Sequence, residues 1–145
     1  MKYKNFMQYA IKEAENAAMA GEVPVGAVIV CDGEIISSAH NICEKENALC
    51  HAEVIAINDA LKKLNVKYLD KCDIYVTLEP CAMCAGAIIN SRIKRVYIGA
   101  LDEKGGCCGS KHNLIYDFFK KTEVYHGICE DECKKLLTAF FKKKR

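Results

Sequence analysis

No stretch of this sequence approaches the roughly 20 apolar residues that a membrane-crossing helix needs, and no apolar run resembles the core of a signal peptide. The start, Met1 to Asn5, is polar and basic, and the chain from Phe6 onward is interrupted by Lys12, Glu13 and Glu15. Both absences lead us to expect a soluble, cytoplasmic protein with no membrane partner. An excess of one charge is missing too: 21 Lys and Arg stand against 19 Asp and Glu, a net +2, which neither demands nor excludes a polyanionic partner. Internal repeats, linkers and low-complexity segments are absent. What remains is a chain of 145 residues, 51% of them hydrophobic, enough for one substantial core and expected to form a single domain over residues 1–145.

Ten cysteines would suggest a disulfide framework in a secreted chain; with no secretory signal they read as reduced thiols and metal ligands. The hydrophobic pattern supplies the frame. Apolar residues spaced by three and four predict a helix over Tyr3 to Ala20, closed by Gly21. Two apolar runs, Val25 to Cys31 and Ile35 to Ala39, flank Asp32-Gly33 and predict a hairpin. A helix is expected over His51 to Leu64, a strand over Ile74 to Leu78, a short helix over Ala82 to Asn90 and a strand over Arg95 to Ala100. Beyond these come an exposed loop over Asp102 to Asn113, a short helix over Leu114 to Lys120, a brief strand near Val124 to His126 and a last helix over Asp131 to Phe141. Helices alternating with strands imply a sheet covered by helices, an α/β fold. The basic tail Lys142 to Arg145 reads as frayed and solvated.

Two clusters carry chemistry, His51-Ala52-Glu53 and Pro80-Cys81-Ala82-Met83-Cys84. Cys81 and Cys84, three apart at the start of a helix, share a face and meet free backbone N–H groups and the positive end of the helix dipole. That setting favours thiolate, the metal-binding form. A catalytic zinc takes three protein ligands and keeps a position for water, whose pKa it lowers toward ~7; His51, Cys81 and Cys84 make that count. A structural zinc wants four ligands, and no second paired-Cys motif completes such a site. Glu53, two residues past His51, diverges from it by about 200° on an ideal helix. It suits proton transfer beside the metal better than ligation. A paired-Cys motif alone is equally compatible with a redox or structural role; the ordered combination with His-x-Glu is far more specific.

At these residues the sequence resembles the bacterial tRNA-specific adenosine deaminases of the cytidine-deaminase superfamily, known by this His-x-Glu and Pro-Cys-x-x-Cys signature. The likeness runs through Val23-Pro24-Val25-Gly26-Ala27-Val28, Thr77 to Ile88, Ser91-Arg92-Ile93, Gly99-Ala100, Gly109-Ser110, Asp131-Glu132-Cys133 and Phe140-Phe141. The resemblance implies a three-layer α/β/α fold with a central mixed five-stranded sheet. It also implies a homodimer, one Zn²⁺ per subunit, and conversion of adenosine to inosine at the wobble position (34) of a tRNA anticodon stem-loop. By motif position it makes His51, Cys81 and Cys84 ligands and Glu53 the general acid/base. Asn41 would hold the target nucleotide, the main chain near Ala52 and Glu79 would line the pocket, Asp102 would contact RNA, and Phe140 and Phe141 would lie near the anticodon.

Three departures are visible. Between Asn41 and His51 the chain reads Ile-Cys-Glu-Lys-Glu-Asn-Ala-Leu-Cys, one residue short of the family pattern and without its Asp-Pro-Thr-Ala. Leu101 replaces a basic or polar residue, and Cys107-Cys108 fill positions held by small residues.

Plainer readings stand beside these. Asn41 and Asp102 suit turns. Phe140 and Phe141 cannot both face one side of a helix, so one is expected in the core. Cys129 and Cys133 read as buried small hydrophobes, Cys50 as packing, His40, His112 and His126 as ordinary polar residues. The pairs Lys62-Lys63, Lys120-Lys121 and Lys134-Lys135 read as solvated helix faces, with some positive surface needed if RNA binds. Two rival functions remain: a deaminase of a free base or nucleoside, guanine or cytosine, and a non-catalytic zinc-stabilised RNA-binding module.

Overall fold

The computed structural model describes residues 2–144; Met1 and Arg145, the ends of the polar start and the basic tail, lie outside the described residues. Helix α1 (Lys2–Met19) leads into β1 (Gly26–Cys31) and β2 (Glu34–His40). Asp32 and Gly33 between them have φ of 51° and 78°, the positive pair that a type I′ hairpin requires. Next come α2 (Ala52–Leu64), β3 (Cys72–Leu78), α3 (Ala82–Ser91), β4 (Arg95–Ala100), α4 (Leu114–Phe118), β5 (Glu123–Tyr125) and α5 (Glu130–Lys143).

The strands form one five-stranded sheet in the order β2-β1-β3-β4-β5. β1 runs antiparallel to β2 and β3, whereas β3, β4 and β5 are parallel, so the sheet is mixed. Successive side chains on a strand point to opposite faces, and β1 divides its residues accordingly. Ala27 and Ile29 join Ala56, Ile57, Ala85 and Ile88 from α2 and α3 in one buried cluster. Val28 and Val30 join Met7, Ala10 and Ile11 of α1 and Cys133 of α5 in the other. The result is three layers, α1 and α5 on one face and α2, α3 and α4 on the other.

The structure revises the expected boundaries and one environment. β3 begins at Cys72, two residues early, because its register against β1 continues to Cys31; α4 stops at Phe118 and α5 continues to Lys143. The segment after Asp102 is not simply an exposed loop. Gly106, Cys107 and Cys108 are buried, since the Glu79 carboxylate draws the segment inward by accepting hydrogen bonds from its backbone. Phe140 does not reach the core either. The last α5 side chains packed on it are Leu136 and Leu137, and Phe140 and the exposed Phe141 lie edge to face against each other. Cys133 is the small buried hydrophobe expected, while Cys129 caps α5 and is only half-buried. Among the described residues no helix is long and apolar enough to cross a membrane.

Candidate metal centre and active site

Two helix N-termini converge on one place. His51 is the N-cap of α2 in extended conformation, and Cys81 is the N-cap of α3 at the end of β3. Cys84, in the first turn of α3, is buried. His51 Nδ1 stands 3.6 Å from Cys81 Sγ and 3.5 Å from Cys84 Sγ. Among the described residues this is the group of His, Cys and carboxylate side chains that could hold a metal ion, its ligand atoms all within 4.8 Å of one another.

The two thiols differ in acidity. Cys81 is held down to about 5, first by a hydrogen bond from the Cys84 thiol and then by backbone N–H groups of Cys84 and Met83 and by His51. Cys84 is pushed up by the neighbouring Cys81 thiolate, by burial and by Glu53.

Glu53 lies on the first turn of α2, 3% exposed. Burial pushes its carboxyl up to about 7 against the lowering effects of its own backbone N–H, His51 and the Cys84 thiol. Its Oε1 is buried with no hydrogen-bond partner among the described residues. The helix geometry explains this: two positions after His51, the carboxylate sits beside the ligand group without closing it.

A cavity of about 240 Å³ opens over these residues, lined by Val23, Val25, Asn41, Cys43, Leu78 and Asp102 together with His51, Glu53 and Cys81. Glu22, Glu44 and Glu79 also reach it. A carboxylate poised near neutrality beside a group able to hold a metal suits hydrolytic chemistry in this small cavity.

The sequence profile of the MafB19-like deaminase family matches residues 1–145. The tRNA-specific adenosine deaminase of Bacillus subtilis (strain 168) is 48% identical over 143 residues, covering 97% of this chain and 89% of that protein. The chain belongs to this deaminase family. A solved structure from work on A-to-I editing by tRNA:A34 deaminases at the wobble position of transfer RNA superposes with a TM-score of 0.86 at 40% identity, covering 92% of this chain and 99% of that one. The guanine deaminase of Bacillus subtilis superposes with a TM-score of 0.68 at 38% identity, covering 81% of this chain and 76% of that one. The deaminase is thus an α/β enzyme with the fold of its relatives.

Within the deaminase pocket, Asn41 is 8% exposed, and its Oδ1 accepts a 2.8 Å hydrogen bond from the Ala52 N–H. That bond ties the end of β2 to the start of α2 and engages the Ala52 N–H, while Asn41 itself lines the cavity. Asp102 is at once a pocket residue and the turn residue of the plainer reading: its Oδ1 accepts from the N–H groups of Lys104 and Gly105. Phe141 lies outside the pocket, on a wider groove of about 1070 Å³ with Lys104, Lys134 and Lys144. Val23, Leu78 and Asp102 line both. Phe140 lies under the Lys144 ammonium, 5.1 Å from its ring centroid.

Sequence reasoning missed Glu22 and, naming Glu79 only for its main chain, missed what the Glu79 carboxylate holds. Glu79 is 2% exposed, and its side chain accepts from the N–H groups of Asp102, Cys108 and Ser110 at 2.9–3.0 Å and from the Ser110 hydroxyl. Glu22 is 3% exposed and accepts from the N–H groups of Glu44 and Lys45. The one hint was an acidic residue set directly against an apolar strand at each place, Glu22 before Val23-Pro24-Val25 and Glu79 after Ile74 to Leu78.

Proposed function

We propose that residues 1–145 act as one zinc-dependent deaminase domain that converts adenosine to inosine, by hydrolysis, at the wobble position (34) of tRNA anticodons. The observation that carries the reading is the buried, partly unpartnered Glu53 beside the His51, Cys81 and Cys84 group. The relatives named above supply the substrate class.

The donor set fits zinc. Tetrahedral bonds of about 2.3 Å to sulfur and 2.0–2.1 Å to nitrogen put N and S roughly 3.5–3.6 Å apart, and the two such separations here are 3.5 and 3.6 Å. Three ligands leave one position open, as a catalytic site needs. When bound, zinc supplies a Lewis acid that brings the pKa of water toward ~7.

The chain's own residues do the rest. Glu53, poised near neutrality by burial, takes one proton from the attacking water and gives it to the purine ring nitrogen, then takes the second from the oxygen now on carbon 6 and gives it to the departing amine. Water adds at carbon 6, the C–N bond breaks and ammonia leaves. Asn41, oriented through the Ala52 N–H, holds the target nucleotide. The wall at Glu79 lines the pocket, and Asp102 sits where the flanking RNA backbone passes. Phe141, with Phe140 beside it, and the lysines of the outer groove meet the anticodon loop. The enzyme acts in the cytoplasm, where its substrate is, as a homodimer; a monomer by size-exclusion chromatography with light scattering at working concentration overturns the dimer.

The guanine deaminase likeness favours a second reading, the same chemistry on a free base. One assay decides. Zinc-loaded protein is given an anticodon stem-loop RNA with adenosine at the wobble position, or free adenosine, cytidine or guanine. Inosine in the RNA alone is the expected result. Ammonia from a free base or nucleoside only moves the assignment to small-molecule salvage, and no turnover with zinc bound favours a scaffold.

A further inference from the structure

The segment between β2 and α2, residues 41–51, forms one wall of the pocket through Asn41, Cys43 and Glu44. Its two ends are pinned together: the Asn41 side chain accepts from the Ala52 N–H, and the Ile42 N–H donates to the Cys50 carbonyl. Its middle is exposed from Glu44 to Leu49. There the Glu22 carboxylate takes hold, one oxygen accepting from the Glu44 N–H at 3.0 Å and the other from the Lys45 N–H at 3.1 Å.

Glu22 is buried, comes from the turn between α1 and β1, and spends both oxygens on this strap. It caps no helix. The two N–H groups sit on exposed residues, where water would satisfy them if the carboxylate let go. Burying a carboxylate to hold two such amides brings little net stability; what it fixes is where the strap stands relative to Asn41, Glu53 and the metal group.

We infer that Glu22 is a positioning residue for substrate: its carboxylate clamps residues 44 and 45 and thereby sets the wall of the pocket against which the nucleobase is held. It takes no part in proton transfer, because neither oxygen faces a reacting atom unengaged. The inference rests on the proposed function for its kinetic readout alone.

The test has two arms, using zinc-loaded full chain and the variant Glu22→Gln, which keeps size and removes one of the two acceptors. In hydrogen exchange, the amides of residues 44 and 45 are protected in the native protein and at least one of them loses that protection in the variant, while the α2 and α3 amides are unchanged. In kinetics with the wobble-adenosine stem-loop, KM rises on the order of tenfold, the loss of one charge-assisted hydrogen bond, with kcat within about threefold and zinc content unchanged. Unprotected amides at 44 and 45 in the native protein overturn the clamp. So do an unchanged KM, a fall confined to kcat, or a variant that loses zinc or its fold, since a clamp on one wall leaves the core and the metal group intact. If the native protein does not turn over the stem-loop at all, the proposed function falls while the exchange arm still decides the clamp.

Discussion

Glu53 couples folding to protonation. Its folded-state pKa of about 7 lies above the ordinary 4.5, so between those values the folded state binds a proton that the unfolded state does not, and the metal-free protein gains stability as pH falls through this window. Above pH 7 it carries a buried carboxylate with one bare oxygen. Glu53→Gln mimics the protonated form at every pH. In chelator-treated protein the variant is therefore expected to be more stable than the native chain at pH 8, by up to roughly 3 kcal/mol, and the two to converge near pH 5, as read from urea midpoints. With zinc restored, the variant keeps its metal and loses at least a hundredfold in turnover. Cys81 has the opposite bias. Lowered to about 5, it is thiolate at neutral pH once the metal is gone, so iodoacetamide at pH 6.5 modifies it ahead of the other cysteines in metal-free protein and spares it in the zinc form. Peptide mass spectrometry reads both cases; prior labelling at another cysteine contradicts the assigned environment.

At the scale of elements, two glycines make opposite predictions. A Cβ on Gly26 of β1 would lie 2.0 Å from the Ala10 carbonyl oxygen and 2.7 Å from the Ala14 nitrogen of α1, helix backbone that has no rotamer to yield. Gly26→Ala is expected to destabilise by about 1–3 kcal/mol or more. A Cβ on Gly86, in the middle of α3, meets nothing within 4 Å, and Gly86→Ala should stabilise by up to about 1 kcal/mol through helix propensity. Denaturant midpoints of the pair test the packing of α1 on the sheet independently of catalysis. This close approach also shows what the sequence could tell. Periodicity placed α1, the hairpin and α2 within a residue or two, since each buries one face and the 3.6- and 2-residue periods record it. The metal group was legible because its three residues sit at the starts of two helices, where position in the motif fixes position in space. Glu22 and Glu79 were not legible, because their partners are backbone amides of segments 22 to 31 residues away, and an amide carries no letter. The buried stretch Gly106 to Cys108 was misread for the same reason: glycines signal a turn, and nothing in them announces the carboxylate that pulls the turn inward.

Over the whole molecule, the small cavity and the lysine-bearing groove share walls at Val23, Leu78 and Asp102, while the chain's net charge is only +2. Attraction for an RNA backbone must therefore come from local placement of charge and not from bulk. For single strands, affinity falls with salt by about 0.7 in log–log slope per phosphate neutralised. The triple variant Lys104→Ala, Lys134→Ala, Lys144→Ala is expected to bind the stem-loop more weakly at low salt and to flatten that slope by about 2, with zinc content unchanged. Fluorescence anisotropy across a salt series measures it, and an unaltered slope places the phosphates elsewhere.

A buried carboxylate holds each wall of the pocket, Glu22 for one and Glu79 for the other, while the His51, Cys81 and Cys84 group stands at two helix ends seated in the core. Apart from the Asn41 bond to the Ala52 N–H, what fixes the walls is thus distinct from what fixes that group. A strap altered in its exposed stretch needs only to bring two amides back to Glu22 for the group at the helix ends to remain undisturbed. Such a scaffold lets substrate choice drift by changes in surface segments, at little risk to the reaction itself.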